Sequence, residues 1–483
     1  MEGIPLLSGA YQAKSAIASA QRCINLYLEN NPGNVKSPTP TTHYQRPGKV
    51  LKWTPPGLGA GRGLYCASNG DLFAVVNDTV YFINSVFGYN VLGNIVAGSN
   101  PISMADNGIS GGADIALVDG TTTGYQINMN TFAFAPIVDP LGIFTGADVV
   151  QYLETYLIFN TIPNTQNFII TNPNSLTFNV LNIAAKSAYA DNLITLGIRS
   201  KELWLLGNKN STEPWILSGA PDFPFEGMPS TFLPYGNAAK YSLVFADVSL
   251  YWVSINNQGQ AIFVKTEGYV PKRISTHAIE QLVQSFATIA DAIGSSFQIE
   301  GHTFIAWSFP TANITLVYDQ ATEQWAQWAY LDNNGVLNRD RACFYASAYN
   351  MNLAQDWQTG QIYQISGAAV DDAGQPITKI RGFPVLQKGL NRITHWVLRA
   401  YMDTGEEATP GFAPQVWLNI SDDGGKSWYD PIYAELGEQG QYDTVAQWTR
   451  LGMARNRVYE LQWSDPCQTA LNGLYVEPEE AET

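Results

Sequence analysis

Six acids spread through the middle of the chain, Asp247, Glu267, Asp291, Glu300, Asp319 and Glu323, are of a type that could do chemistry. Glycoside hydrolysis needs two carboxylates facing each other across a cleft. Spacing alone pairs none of these six. A site for an acidic sugar would also need an arginine cluster, and arginines are few between Arg62 and Arg339. The histidines, His43, His277, His302 and His395, fall one to a region, with no HExxH pattern and no GxxxxGK[ST] phosphate loop. His302 begins a strand-like stretch, where a hydrogen-bonded structural imidazole is the expected role. Cys23, Cys66, Cys343 and Cys467 lie far apart without zinc-ligand spacing and read as buried reduced thiols. "DNGISGGAD" and "GADVVQ" do not match a calcium loop. No catalytic, cofactor or metal site is expected.

One motif has its own local logic. "SDDGGKSW", residues 421–428, fits the Asp-box pattern Ser-x-Asp-x-Gly-x-Ser/Thr-Trp of sialidases and related propellers. Asp423 can accept bonds from the turn amides of Ser421-to-Trp428, Gly425 supplies a positive φ, and Trp428 is expected to pack beneath. It occurs once, outside the repeats described below, and reads as a structural turn.

The composition says what must position such residues. Only 14% of the 483 residues are charged, while 12% are aromatic and 42 are glycine. That balance favours β-sheet, and the length favours two or three domains. A net charge of −16 argues against a large phosphate-binding surface, because each phosphate contact needs a Lys or Arg. The tail "YVEPEEAET" is wholly acidic and reads as a solvated end. No basic n-region followed by a long apolar core opens the sequence, and no apolar run approaches the ~20 residues of a membrane helix. A soluble protein folding in a reducing cytoplasm, with no membrane anchor, is expected.

Residues 1–60 are rich in Pro, Asn, Gly and Thr and read as an extended N-terminal arm, slightly basic and suited to docking an adaptor. On that reading, deleting residues 1–50 should leave the propeller folded. From residue 61 the pattern becomes short strands separated by turn signals such as Asn69-Gly70 and Asn77-Asp78. Groups of three or four strands begin near residues 62, 113, 149, 192, 241, 297 and 342, the spacing of propeller blades. Radial stacking buries the faces that one small sheet cannot cover alone. Trp204, Trp215, Trp252, Trp325 and Trp328 are expected at matching late-strand positions, filling the wedges between blades. Ile279, Leu282, Val283 and Phe286 recur at helical spacing, predicting a short helical insertion over about 277–293, with Ser275 or Thr276 as N-cap. Longer alternating strands after residue 368 predict a β-sandwich-like domain. The expected fold is therefore all-β: an arm over 1–60, a six- or seven-bladed β-propeller over 61–368, and a β-sandwich-like domain over 369–483.

"RISTHAIEQLVQSF" followed by "GHTFIAWSFPTANITLVYDQATEQWAQW" resembles the central block of the tail-hub proteins of short-tailed bacteriophages, also called packaged-DNA stabilisation proteins or tail nozzles. The matching positions are Ile274, Ser275, Thr276, Ile279, Glu280, His302, Pro310, Val317, Tyr318, Asp319 and Trp325. In the arm, "INLYLE", which contains Asn25, and "YQRPGK", with Arg46, Pro47 and Gly48, also fit. The pieces keep the family's order over residues 1–366. The resemblance implies a virion tail protein without enzymatic activity. It implies a homo-hexameric ring, assembled in the host cytoplasm, that docks below the portal-adaptor and meets a tail needle or plug, or tail fibres or tailspikes. Such a ring closes the DNA exit channel and later passes double-stranded DNA without sequence-specific binding. The competing expectations are a sialidase-like glycan-hydrolysing propeller enzyme and a glycan-binding propeller module.

Overall fold

The computed structural model describes residues 2–4, 9–15, 19–31, 40–220, 222–255, 258–389, 391–406 and 411–480. Two short strands of alternating apolar residues recur through it, joined by turns of two residues in which the first takes a left-handed backbone, as at Glu154, Ser200, Asp247 and Glu300. Among the described residues such hairpins build seven four-stranded antiparallel blades, five of them separate sheets and two continued into larger sheets. Their innermost strands are Gly61–Cys66, Ser103–Asp106, Val150–Leu153, Leu193–Arg199, Val244–Ala246, Ile293–Ile299 and Ala342–Ala348. Each touches the next and the last touches the first, so the ring closes as a seven-bladed propeller.

The closure uses residues ahead of the first blade. Gly48–Trp53 pairs antiparallel with Ile362–Ser366 as the fourth strand of the last blade. The propeller therefore reaches back to residue 48, and the described residues of the segment expected to be an extended arm pair as strands within the fold. Cys23–Ile24 pairs in parallel with the outer strand Gln324–Leu331 of the sixth blade and antiparallel with Lys379–Gly382. The hairpin Leu26–Asn30 and Thr41–Gln45 joins the second domain through Ala470–Glu480. The physical reason is that an isolated strand exposes unpaired backbone groups, whereas here each finds a ladder. Removing residues 1–50 would take strands from both domains. Residues 32–39 of the segment lie outside the described residues.

The five expected wedge tryptophans are buried against neighbouring blades, but at different strand positions. Trp204 and Trp252 stand on second strands, Trp215 on a third, and Trp325 and Trp328 on a fourth. A buried indole gains stability when its N–H finds a partner. Trp252 donates to the Gly236 carbonyl (3.0 Å) and Trp307 to that of Ser242 (2.9 Å), pinning the loop that leads into the fifth blade. The helix is shorter than expected, His277–Gln284, because the Ser285 hydroxyl bonds the Leu282 carbonyl at its end. Thr276, not Ser275, caps it, and Ile279 and Val283 pack between the fifth and sixth blades.

The C-terminal domain is a β-sandwich. One sheet is built on Ile393–Met402 flanked by Ala446–Thr449 and Ala470–Glu480; the other runs Lys379–Gly382, Val458–Trp463, Gln415–Ser421, Ile432–Glu435. Leu398, Ala400 and Trp448 from the first meet Val416, Leu418 and Leu461 from the second in one core. The acidic tail, expected to be solvated, is a paired strand as far as Glu480. Residues 481–483 lie outside the described residues.

Candidate functional site

Where propeller meets sandwich, polar groups are buried together. Asn25 sits between the two-residue strand Cys23–Ile24 and the hairpin, with φ +56°, a region Asn tolerates better than most residues. All its amide capacity is used. Nδ2 donates to the carbonyls of Ala329 (2.9 Å) and Thr378 (2.7 Å), while Oδ1 accepts from the Ala329 amide (2.8 Å) and Arg46 Nε (2.9 Å). One side chain thus ties the sixth blade, the start of the sandwich and the Arg-Pro-Gly element.

Arg46 and Lys49 face Asp340 and Asp372. The Arg46 guanidinium bonds both oxygens of Asp372, and Lys49 Nζ lies 2.6 Å from Asp340 and 3.1 Å from Asp372. The side chains of Arg46, Lys49 and Asp340 are buried, and that of Asp372 is 9% exposed. Burial alone would raise the Asp372 carboxyl, but Arg46 and Lys49 outweigh it and hold it at about 2. Burial likewise works against the Arg46 charge, and Asp372 and Asp340 overcome that too. Two cations and two anions leave the cluster neutral, so it is an interdomain clamp and not an ion site. Pro47 is buried beside it. A Cβ on Gly48 would lie 2.5 Å from the carbonyl oxygens of Ala369 and Asp371, so only glycine lets the backbones approach.

The residues of the central block surround the fifth and sixth blades. His302 Nδ1 lies 2.8 Å from Asp319, whose carboxylate also accepts from Thr322 Oγ1 (2.7 Å) and the Ala321 amide (3.0 Å). The bond to Asp319 raises the imidazole above its ordinary value, against the opposing effect of burial. Tyr27 packs edge-on against His302, so this pair also lies under the N-terminal segment. Glu280, at the first turn of the helix, binds Arg273 and Ser275, and Ile279 is core. Tyr318 and Trp325 pack together, with the Trp325 indole donating to Ile274 (3.0 Å). Pro310 closes a strand, its carbonyl accepting from Asn313.

The Asp-box turn forms as expected in its hydrogen bonds. Asp423 accepts from the Lys426 and Ser427 amides (2.8 and 2.9 Å) and the hydroxyls of Ser421 and Ser427, all of which lower its carboxyl. The Ser421 hydroxyl accepts from the Gly425 amide, and Gly425 has φ +91°. Trp428 is 39% exposed and sets the edge of its indole beside Gly425 of the turn, 3.8 Å from where a Cβ would stand.

The six candidate acids are not brought together across a cleft. Glu267 and Glu323 share Lys272 and Lys265 in a surface ion cluster. Asp247 holds Gln320, Asp291 caps the Thr311 amide, and Glu300 accepts from Tyr27. The GxSxG pattern, expected to be absent from the chain, does occur, at Gly108-Ile109-Ser110-Gly111-Gly112. In the fold it is a 3-10 turn whose Ser110 bonds Asn107 and Asn174, not a nucleophile on a strand-to-helix elbow. Among the described residues no group of three or more His, Cys, Asp or Glu could hold a metal ion. The propeller's own axis holds a cavity of about 230 Å³ lined by Ser103, Gln151, Thr195, Lys240 and Tyr241.

Both domains match one protein family in succession, described as "Bacteriophage P22 Gp10, beta-propeller" over residues 2–370 and "Bacteriophage P22 Gp10, beta-sandwich" over residues 381–479. The chain belongs to this family. It is a structural phage tail protein of the Gp10 type, and the interval between the two matches contains Asp372 and Lys379 of the interdomain seam. No curated protein matches it in sequence. Solved structures similar to the chain are generic propellers. The WD40 propeller domain of Doa1 is 9% identical over 66% of this chain and 97% of its own, with a TM-score of 0.41. The N-terminal domain of Nup159 is 6% identical over 72% and 99%, with a TM-score of 0.42. The designed protein Ika8 is 9% identical over 66% and 99%, with a TM-score of 0.36. Scores this low carry nothing about function.

Proposed function

We propose that the chain is one subunit of a six-fold tail hub or nozzle. The ring docks below the portal-adaptor, closes the DNA exit to retain the packaged genome, and conducts DNA during ejection. The observation that carries this reading, beyond family membership, is the single ten-stranded sheet that runs from the sixth blade through Cys23–Ile24 into the sandwich. A hub under the pressure of packaged DNA needs domains that do not hinge, and a shared sheet sealed by a buried ion cluster supplies that. The axial cavity of one propeller is far too small for a duplex whose major groove alone is about 12 Å wide. DNA therefore passes between copies, which requires a ring. Six copies carry six times −16, and an acidic wall repels a polyanion over about 8 Å at physiological salt, which favours transit over gripping. A needle or plug and fibres or tailspikes complete the assembly, which forms in the host cytoplasm before joining the virion tail.

Electron microscopy of the purified chain and of virions tests this. A six-fold ring with an axial channel at the tail is expected. A stable single copy that never associates with virions would overturn the reading, and a broadly basic lumen would overturn its electrostatic part.

A further inference from the structure

We infer that a cavity between the sixth blade, the seventh blade and the connection to the sandwich binds a neutral sugar. This adds a ligand site to a structural protein and does not depend on how copies assemble.

The cavity measures about 310 Å³, at the lower end of the range of about 300–1,000 Å³ that small-molecule sites occupy. Tyr330 enters it from the outer strand of the sixth blade and Asn333 from the turn that follows. The seventh blade supplies Arg341, just ahead of its innermost strand, Tyr363 on its third and Leu51 on its outermost. The remaining wall is the hairpin Asp371–Asp372 with Gln375–Pro376, which leads into the sandwich and carries Gln375. The Ala373 amide holds this hairpin to the blade by bonding the Lys49 carbonyl (2.7 Å).

The charges of the wall exclude an ionic ligand, because all are compensated from within. Lys49 meets Asp340 and Asp372, and Arg341 meets Asp356, whose Oδ2 lies 2.8 Å from both Nε and Nη2. The carboxylates are saturated too: Asp372 also binds Arg46, and Asp356 accepts from the Gln358 amide and the Thr359 hydroxyl. An entering ion would leave water without meeting a free counter-charge, which is costly. A hydrocarbon is excluded for the opposite reason. The side-chain amides of Asn333 and Gln375, the Tyr330 hydroxyl and Arg341 Nη1 have no hydrogen-bond partner among the described residues. An apolar ligand would cover them and replace none of their bonds to water.

What fits is uncharged and rich in hydroxyls, with C–H faces between them, and a sugar ring has that combination. Each amide offers donors and an acceptor side by side, and the guanidinium end adds two donors, so neighbouring hydroxyls can be met as donor and acceptor at once. The rings of Tyr330 and Tyr363 and the Leu51 side chain, 44% exposed, give the C–H face a surface to lie on. These groups are fixed before a ligand arrives. The Tyr363 hydroxyl bonds Gln361 (2.9 Å) and Asp356 (3.1 Å), and the Arg341 guanidinium lies 4.9 Å from the Tyr330 ring centre.

Saturation-transfer NMR on the full chain tests this, with glucose, galactose, mannose and N-acetylglucosamine as probes and glucuronate as the charged comparison. At least one neutral probe should receive transfer at its ring C–H protons, and glucuronate should receive less. Methyl glycosides of the same sugars separate two sources: transfer retained with C1 blocked identifies the end of a glycan, and transfer lost identifies a free sugar. Asn333→Ala combined with Gln375→Ala, both at exposed positions, should keep the native melting curve and weaken binding about tenfold, the loss of one or two hydrogen bonds. Tyr330→Phe keeps the ring against Arg341, removes only the hydroxyl, and should weaken binding less. Transfer to no neutral sugar, stronger transfer to glucuronate than to every neutral probe, or undiminished binding by both variants overturns the inference. None of these results bears on the six-fold hub, which microscopy judges separately.

Discussion

Replacing Asn25 by alanine should be among the most damaging single changes in this chain. The side chain makes four hydrogen bonds of 2.7–2.9 Å, is almost wholly buried, and bonds groups on three separate segments. A neutral bond is worth about 1 kcal/mol net and one to a charged group about 2, so the four together amount to roughly 5 kcal/mol. Alanine at φ +56° adds about 1 kcal/mol of backbone strain. Asn25→Gly should therefore be milder than Asn25→Ala by about 1 kcal/mol, which separates strain from bonding. Asn25→Asp is the decisive variant. It keeps the acceptor facing Arg46 but turns a second oxygen toward the carbonyls of Ala329 and Thr378, so it should be as damaging as alanine despite its charge. Urea unfolding followed by fluorescence of the 13 tryptophans, with proteolysis of the 367–378 connection as a local readout, measures all three. A cost below about 1 kcal/mol for alanine, or an aspartate variant as stable as the native chain, would refute the account of the junction.

Two further predictions concern acid. The Asp372 carboxyl is held at about 2 against an ordinary 3.8, so its stabilisation is complete above about 4 and is lost as pH falls toward 2; Asp372→Asn should remove about 2 kcal/mol of that pH dependence in urea titrations. His395 is pushed down to about 4 by burial, with Arg457 adding to it, so the folded state holds it neutral and loses stability as pH falls from about 6.5 to 4. His395→Phe should flatten that earlier window and leave the Asp372 window unchanged. Melting temperatures recorded from pH 7 to pH 2.5 check both, and a His395→Phe profile identical to the native one would count against the second.

What the sequence made legible was whatever is local. Strand alternation and two-residue turns announced the blades, and the Asp-box pattern announced its hydrogen bonds, because every hydrogen-bond partner of the Asp423 carboxylate lies within four residues. What it concealed was pairing at long range. Gly48–Trp53 was read as arm because six residues show little period on their own, and their order comes from a strand more than 300 positions away. Lys49, Asp340 and Asp372 escaped notice for the same reason. Each is an ordinary polar residue in its own stretch of sequence, and only the fold brings both carboxylates within 3.1 Å of Lys49.

There is a physical reason why the residues that gave the family away gather at the seam and around the central blades. Apolar core positions accept volume-conserving exchange at a cost that is often under 1.5 kcal/mol, so many spellings satisfy a blade interior that keeps its pattern. A buried amide or ion pair has no such freedom. Removing one partner leaves the other unsatisfied in a dry environment, at a cost of about 3–5 kcal/mol for an ion pair. Asn25 with Arg46, Arg46 with Asp372, His302 with Asp319 and Glu280 with Arg273 are all of this kind. Gly48 joins them on steric grounds. A propeller can be built from many sequences, but sewing it to a sandwich through a two-residue strand leaves few ways to satisfy the polar groups that the seam buries. The distinctive spelling at Asn25, Arg46 and Gly48 therefore marks where the two domains are locked together.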